Sequence, residues 1–140
     1  MWVLRFPRAT RRFRILNPRF CGSNKTIFSS RALPPWNFTA IFHPDDLVIY
    51  KQRVGAFSDN HLELVLRSRR VEHLVFFGIA TSGIVLSTLR RAFDLDFRSV
   101  VLKDACFDAD QEVHRVLTEK VFPVQAWVAA TDEFIAAQKG

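Results

Sequence analysis

Between His73 and Phe93 the order of apolar and polar positions changes period once. Leu74 to Gly78 is a short apolar run closed by glycine, which predicts a buried strand. A polar turn, Thr81-Ser82-Gly83, follows. Val85, Leu86, Leu89, Ala92 and Phe93 then recur at helical spacing, with Arg90 and Arg91 on the other side near the C-terminal end. Strand, tight turn and helix make half of a βαβ unit. In α/β sheets such turns lie at the carboxyl edge of the strands, where sites form.

The same reading extends along the chain. Met1–Phe6 predicts a short strand. Residues 20–40 contain Gly22, Ser23, Asn24, Ser29, Ser30 and Pro34-Pro35, which is loop chemistry, with Trp36 and Phe38 as anchors to the body. Leu47 to Tyr50 predicts a strand ending at Lys51. Ser58, Asp59 or Asn60 caps a helix with Leu62, Val65 and Leu66 on its inner face. Ser99 to Leu102 predicts a buried strand. Asp108 caps the next helix, with Gln111 three residues on and Val113, Val116, Leu117 and Val121 as the inner stripe, ended by Pro123. Ala126 to Ala130 is a last strand, and Thr131 or Asp132 opens a terminal helix. Strands alternating with helices imply parallel pairing and right-handed crossovers.

Composition narrows the function classes. The chain has 140 residues, 49% of them hydrophobic, enough for one domain with a true core. No apolar run approaches the roughly 18–20 residues of a membrane helix. Cys21 and Cys106 have neither CxxC nor Cys/His spacing, so a disulfide framework or zinc site is not expected and a reducing, cytoplasmic compartment is the default. His43, His61, His73 and His114 are dispersed and read as surface or capping residues. Neither GxGxxG nor GxxxxGK[ST] occurs. No metal or cofactor is expected.

Charge is uneven. Residues 1–32 hold eight basic residues and no acid, while residues 33–140 are net −2. Three readings fit the basic segment. It could be a mitochondrial presequence, against which Pro7 and Pro18 interrupt the helix. It could be an arm for a polyanion through Arg5, Arg8, Arg11, Arg12 and Arg14. Or it is a divergent leader without a selected role. The chain divides accordingly into a basic leader with its loop, 1–40, and a domain, 41–140.

One stretch carries a family resemblance. Gly78-Ile79-Ala80-Thr81-Ser82-Gly83-Ile84-Val85-Leu86-Ser87-Thr88 resembles the nucleophile turn G-[IV]-A-T-x-x-C-V-x-x-T of the isochorismatase-like cysteine hydrolases. Lys51, Arg53, Ala56 and Phe57 resemble the segment that carries the family's catalytic lysine. Lys103-Asp104-Ala105 is similar to its D-A segment. The similarity runs over about residues 43–136. It implies a three-layer α/β/α fold with a mainly parallel, Rossmann-like sheet. It also implies hydrolysis of a small amide or related carbonyl compound, with common oligomerisation, here through the apolar helix Val85–Phe93. Carried over residue by residue, Lys51 is the charged group. The backbone amides of Ala80 and Ile84 form the oxyanion site, and Ile79–Ala80 is a non-proline cis bond.

The departures are as informative. The family's nucleophile is a cysteine thiolate activated by an aspartate, and Ile84 occupies the cysteine position. Cys106 reads as a small buried thiol, and Ser82 and Ser87 as capping or packing residues. The alternative vinyl-ether chemistry needs only the aspartate, yet no apolar run followed by Asp-x-Gln precedes Lys51. Asp45 and Asp46 stand at the wrong end of their strand. Asp104 is the acid to which Lys51 could turn instead. The expectation is therefore a catalytically impaired hydrolase, acting on a small-molecule substrate or on none. The alternatives are a non-catalytic binding or assembly module and an organelle-targeted pseudo-enzyme. The family's strand order is 3-2-1-4-5-6, so a missing first strand would leave a gap at the sheet centre. Met1–Phe6 pairs with Leu74–Gly78 and fills it, or the sheet is incomplete, or another chain supplies the strand.

Overall fold

The structure, a computed structural model, describes residues 2–5, 12–16, 47–49 and 51–138. Six strands form one sheet: β1 (Trp2–Arg5), β2 (Arg12–Leu16), β3 (Leu47–Ile49), β4 (His73–Ile79), β5 (Arg98–Phe107) and β6 (Trp127–Ala129). Their order is β3-β1-β2-β4-β5-β6. β2, β4, β5 and β6 are mutually parallel, and β1 runs antiparallel to both β2 and β3. The helices are α1 (Leu62–Ser68), α2 (Leu86–Asp94), α3 (Gln111–Val116) and α4 (Thr131–Ala136).

The central slot is filled, but not by the expected strand. β2 pairs with β4, with Phe13 opposite Leu74 and Ile15 opposite Phe76. Trp2–Arg5 instead lies between β2 and β3. Two expectations are thereby corrected: Met1–Phe6 does not flank Leu74–Gly78, and the sheet does not lack its central strand. The physical reason lies in the backbone ladder: Arg12–Ile15 pair in parallel with His73–Phe76, which gives that side of β4 its hydrogen-bond partners. The division at residue 40 does not separate the sheet, because two strands come from the 1–40 leader.

Strand alternation also assigns the helices. Leu74 and Phe76 face the larger core, with Leu62 and Leu66 of α1, Leu89 and Ala92 of α2, and Leu117 and Phe122 beyond α3. Val75 faces the other way, against Leu102 and Phe134 of α4. The three crossovers β3-α1-β4, β4-α2-β5 and β5-α3-β6 put their helices on one face. A single crossover hand requires this while the chain advances one way across the sheet.

Several local expectations change. α2 buries Thr88, Leu89 and Ala92, but Phe93 is 47% exposed. The buried Thr88 hydroxyl accepts the Ala56 N–H at 3.1 Å, and so moors the segment after Lys51 to α2. Before α1, the Asn60 side chain accepts the Leu62 N–H at 2.8 Å. Asp110, not Asp108, caps α3, accepting the Glu112 and Val113 amides. Val113 is exposed, because the helix turns His114, Leu117 and Thr118 inward. Pro123 does not end that helix abruptly: it lies within a final tight turn, Phe122–Val124.

Candidate active site

β4 ends in a conformation that only glycine adopts without strain: Gly78 has φ 124°. The next peptide but one, Ile79–Ala80, is cis, as the motif implied. A wide helical turn, Thr81–Val85, then leads into α2. Its first ladder bond is Val85 N–H to Ala80 C=O at 3.3 Å. The amides just before Val85 therefore belong to the helix N-terminus, where intrahelical acceptors are lacking. Ser82 donates its amide to Asp108 Oδ2 at 2.7 Å. The amide of Ile84, one of the two candidate oxyanion donors, belongs to this same set; that of Ala80 is in the cis peptide.

Two contacts from the segment after β5 hold this turn. One is the Asp108 bond. Burial opposes the charge on Asp108, but bonds from Ser82 and from the Asp110 and Ala109 amides outweigh it and hold the carboxyl below its usual range. The other joins Thr81 Oγ1 and His114 Nδ1 at 2.9 Å, with Thr81 wholly buried. The reading of His114 as a surface or capping residue is thus corrected. The two partners lie 33 residues apart, and no local spacing links them.

The remaining candidates divide. Ile84 is 3% exposed and packs in the larger core. Ser87 donates to Gly83 C=O at 2.7 Å, a back-bond within the helix, as its packing role predicts. Lys51 is half-buried and follows β3 at the carboxyl edge. Burial lowers its pKa, and its ammonium donates to Arg53 C=O at 2.9 Å. Among the described residues it forms no ion pair. Asp104 does not compensate it: Oδ1 accepts from Thr131 N–H at 2.8 Å and Thr131 Oγ1 at 3.0 Å, which ties β5 to α4. Cys21, His43, Asp45 and Asp46 lie outside the described residues. Among those described, no group of His, Cys, Asp and Glu is disposed to hold a metal.

Cys106 stands opposite Gly78 in the β4–β5 ladder, past a register shift. Burial, aided by the Asp104 charge and opposed by a bond from the Gly78 backbone, pushes its thiol up to about 12. In a Cys21→Ser background, the folded protein should resist thiol alkylation near neutral pH, while the urea-unfolded chain reacts freely. The native state keeps the thiol proton, so stability should fall as pH rises above about 8.5, the unfolded value, toward the native one. Urea midpoints across that range check the sign.

The parallel sheet, the cis bond after β4 and the following amide turn define a domain of the isochorismatase class. The family model for the isochorismatase domain matches residues 22–133, and the chain belongs to that family. Among curated proteins it is similar to the ureidoacrylate amidohydrolase RutB of Acinetobacter baylyi, 39% identical over 105 residues, covering 71% of this chain and 43% of that protein. RutB of Variovorax paradoxus is 38% identical over 93 residues, covering 66% and 37%. The chain thus spans less than half the length of these relatives. Among solved structures, an isochorismatase family protein from Burkholderia thailandensis superposes with a TM-score of 0.72 at 27% identity, over 86% of this chain and 66% of that one. A pyrazinamidase/nicotinamidase from Streptococcus mutans gives 0.54 at 31%, over 56% and 44%.

Proposed function

We propose that this chain retains the carbonyl-binding part of an amidohydrolase site and has lost its nucleophilic part. The substrate class is a small amide or related carbonyl compound. Its oxygen would be held by the amides of Ala80 and Ile84, with Lys51 as the nearby positive charge. The observation that carries this reading is Ile84: a buried hydrocarbon side chain at the place in the turn where the family's thiolate chemistry needs sulfur.

Other features support the same conclusion. Thr81 is buried and engaged with His114, so its hydroxyl cannot meet a substrate. The Cys106 thiol remains protonated at neutral pH. The first acid in the sequence is Asp45, so β2 is not followed by the carboxylate that would accept a thiol proton or protonate a vinyl ether.

The test is a panel of small amides, beginning with ureidoacrylate and nicotinamide, whose names appear among the relatives. The expected result is no turnover above buffer by the wild-type chain or by Lys51→Ala, with ligand-induced amide shifts at Ala80 and Ile84 by NMR. Turnover abolished by Lys51→Ala would restore a working enzyme. Ligand binding without turnover is also what a non-catalytic binding module would use.

A further inference from the structure

Ser87 is the second residue of α2, and its hydroxyl reaches back one turn to donate to Gly83 C=O at 2.7 Å. That carbonyl belongs to the Gly83–Ile84 peptide, whose other end is the Ile84 N–H, one of the two candidate oxyanion donors. A peptide is a rigid plane, so a bond that fixes its C=O also fixes the direction of its N–H. Hydrogen bonds in a chain also polarise one another, by about 10–30% per bond. A donor on Gly83 C=O therefore makes the Ile84 N–H both better aimed and more polar. In a trans peptide the two groups point in opposite directions, so Ser87 acts from the side away from a bound oxygen.

The surroundings of Ser87 join the two parts of the proposed site. Gly55, in the segment after Lys51, lies beside it: a Cβ added at Gly55 would stand 3.8 Å from Ser87 Cβ. The next residue, Ala56, donates its amide to Thr88 Oγ1. Ser87 and Thr88 thus meet the lysine segment, while the Ser87 hydroxyl grips the Ile84 peptide. Gly83 C=O also accepts the Leu86 N–H, so it keeps a partner when the hydroxyl is removed. Ser68 makes a similar back-bond on α1, to Val65 C=O at 2.9 Å, where the peptide it holds has no part in the site.

We propose that Ser87 is a positioning residue of the carbonyl site, orienting and polarising the Gly83–Ile84 peptide for an oxygen bound at the Ile84 amide. The inference rests on the carbonyl-site reading and extends it to a side chain that touches no substrate. The helix itself does not need this bond. Alanine is a better helix former than serine, and a serine back-bond slightly weakens the helix that contains it. Removing the hydroxyl should therefore leave folding intact and weaken binding, a combination that a merely structural role does not produce.

The experiment pairs NMR titration of the whole chain with nicotinamide and urea unfolding of the same variants. Ser87→Ala should raise Kd about threefold to tenfold, the worth of one hydrogen bond, with the urea midpoint unchanged or slightly higher. Before ligand is added, the Gly83 carbonyl carbon and Ile84 amide nitrogen should already shift in this variant. Ser87→Thr keeps a hydroxyl that can bond the same carbonyl and should bind within about twofold of wild type. Ser68→Ala should change neither Kd nor the Ile84 resonance. An unchanged Kd in Ser87→Ala, equal losses in Ser87→Ala and Ser87→Thr, or a loss accompanied by a lowered urea midpoint would overturn the proposal. Wild-type binding that Ser87→Ala leaves intact removes only this role of Ser87. Failure of nicotinamide to bind the wild-type chain removes the carbonyl site, and the role of Ser87 with it.

Discussion

Phe76→Ala is expected to cost about 3–5 kcal/mol of folding stability, the range for removing a buried phenyl ring. Phe76 lies in the middle of β4, 2% exposed, within the larger core. Its neighbours come from different elements, so they cannot all close over the space left behind. A domain of this size has about 5–15 kcal/mol to lose, so the variant should be substantially unfolded at modest temperature. Urea titration is the measurement: the midpoint should drop while the slope stays constant. Leu64→Ala, at a position 71% exposed, should leave the midpoint nearly unmoved. Equal effects at the two positions would contradict the core described here. The consequence for the site is direct, because β4 carries Gly78 and the cis peptide at its end.

Asp108→Ala should cost about 1.5–3 kcal/mol, the range for a hydrogen bond to a charged group with its donor left behind. The lost partner is the Ser82 amide in the turn after Ala80. A weaker contact to the Asp110 amide, at 3.4 Å, goes with it. The pH dependence separates charge from packing. The folded carboxyl titrates below its ordinary value. Its stabilisation is therefore present above the unfolded pKa of about 3.9 and is lost as pH falls through the lower native value. The gap between wild type and Asp108→Ala should be flat from about pH 5 upward and close on the acid side of about pH 4. A gap that persists unchanged into strong acid would assign the effect to shape rather than charge. Amide exchange at Ser82 should rise in the variant more than exchange in β5, since the turn loses an anchor that the strand keeps.

The lysine strand reads differently with the structure in view. Lys51 is held by a backbone carbonyl and by the mooring of Ala56 to Thr88, and no acid among the described residues pairs with it. Asp104, the acid that sequence suggested as its counter-charge, is committed to α4. Desolvation of this ammonium accounts for the lowered proton affinity of Lys51.

Much was determined by the sequence alone, because the signals were local. The apolar run Leu74–Gly78, the polar turn and the helical repeat after it require only neighbours a few residues apart. β4, the turn and α2 appear where that pattern put them, and the cis bond falls at Ile79–Ala80 as the motif implied. The last strand and terminal helix were legible for the same reason.

What the tertiary structure decided was pairing between distant segments. Arg12–Leu16 gave no strand signal, yet its backbone takes the place beside β4, in parallel register with His73–Phe76. The exchange of Asp108 and Asp110 as caps depended on whether Ser82 was within reach, and the bond between His114 and Thr81 spans 33 residues. Periodicity reports which side of an element is apolar. It does not report which partner that side will meet, since the partner is selected by the free energy of the whole packed core.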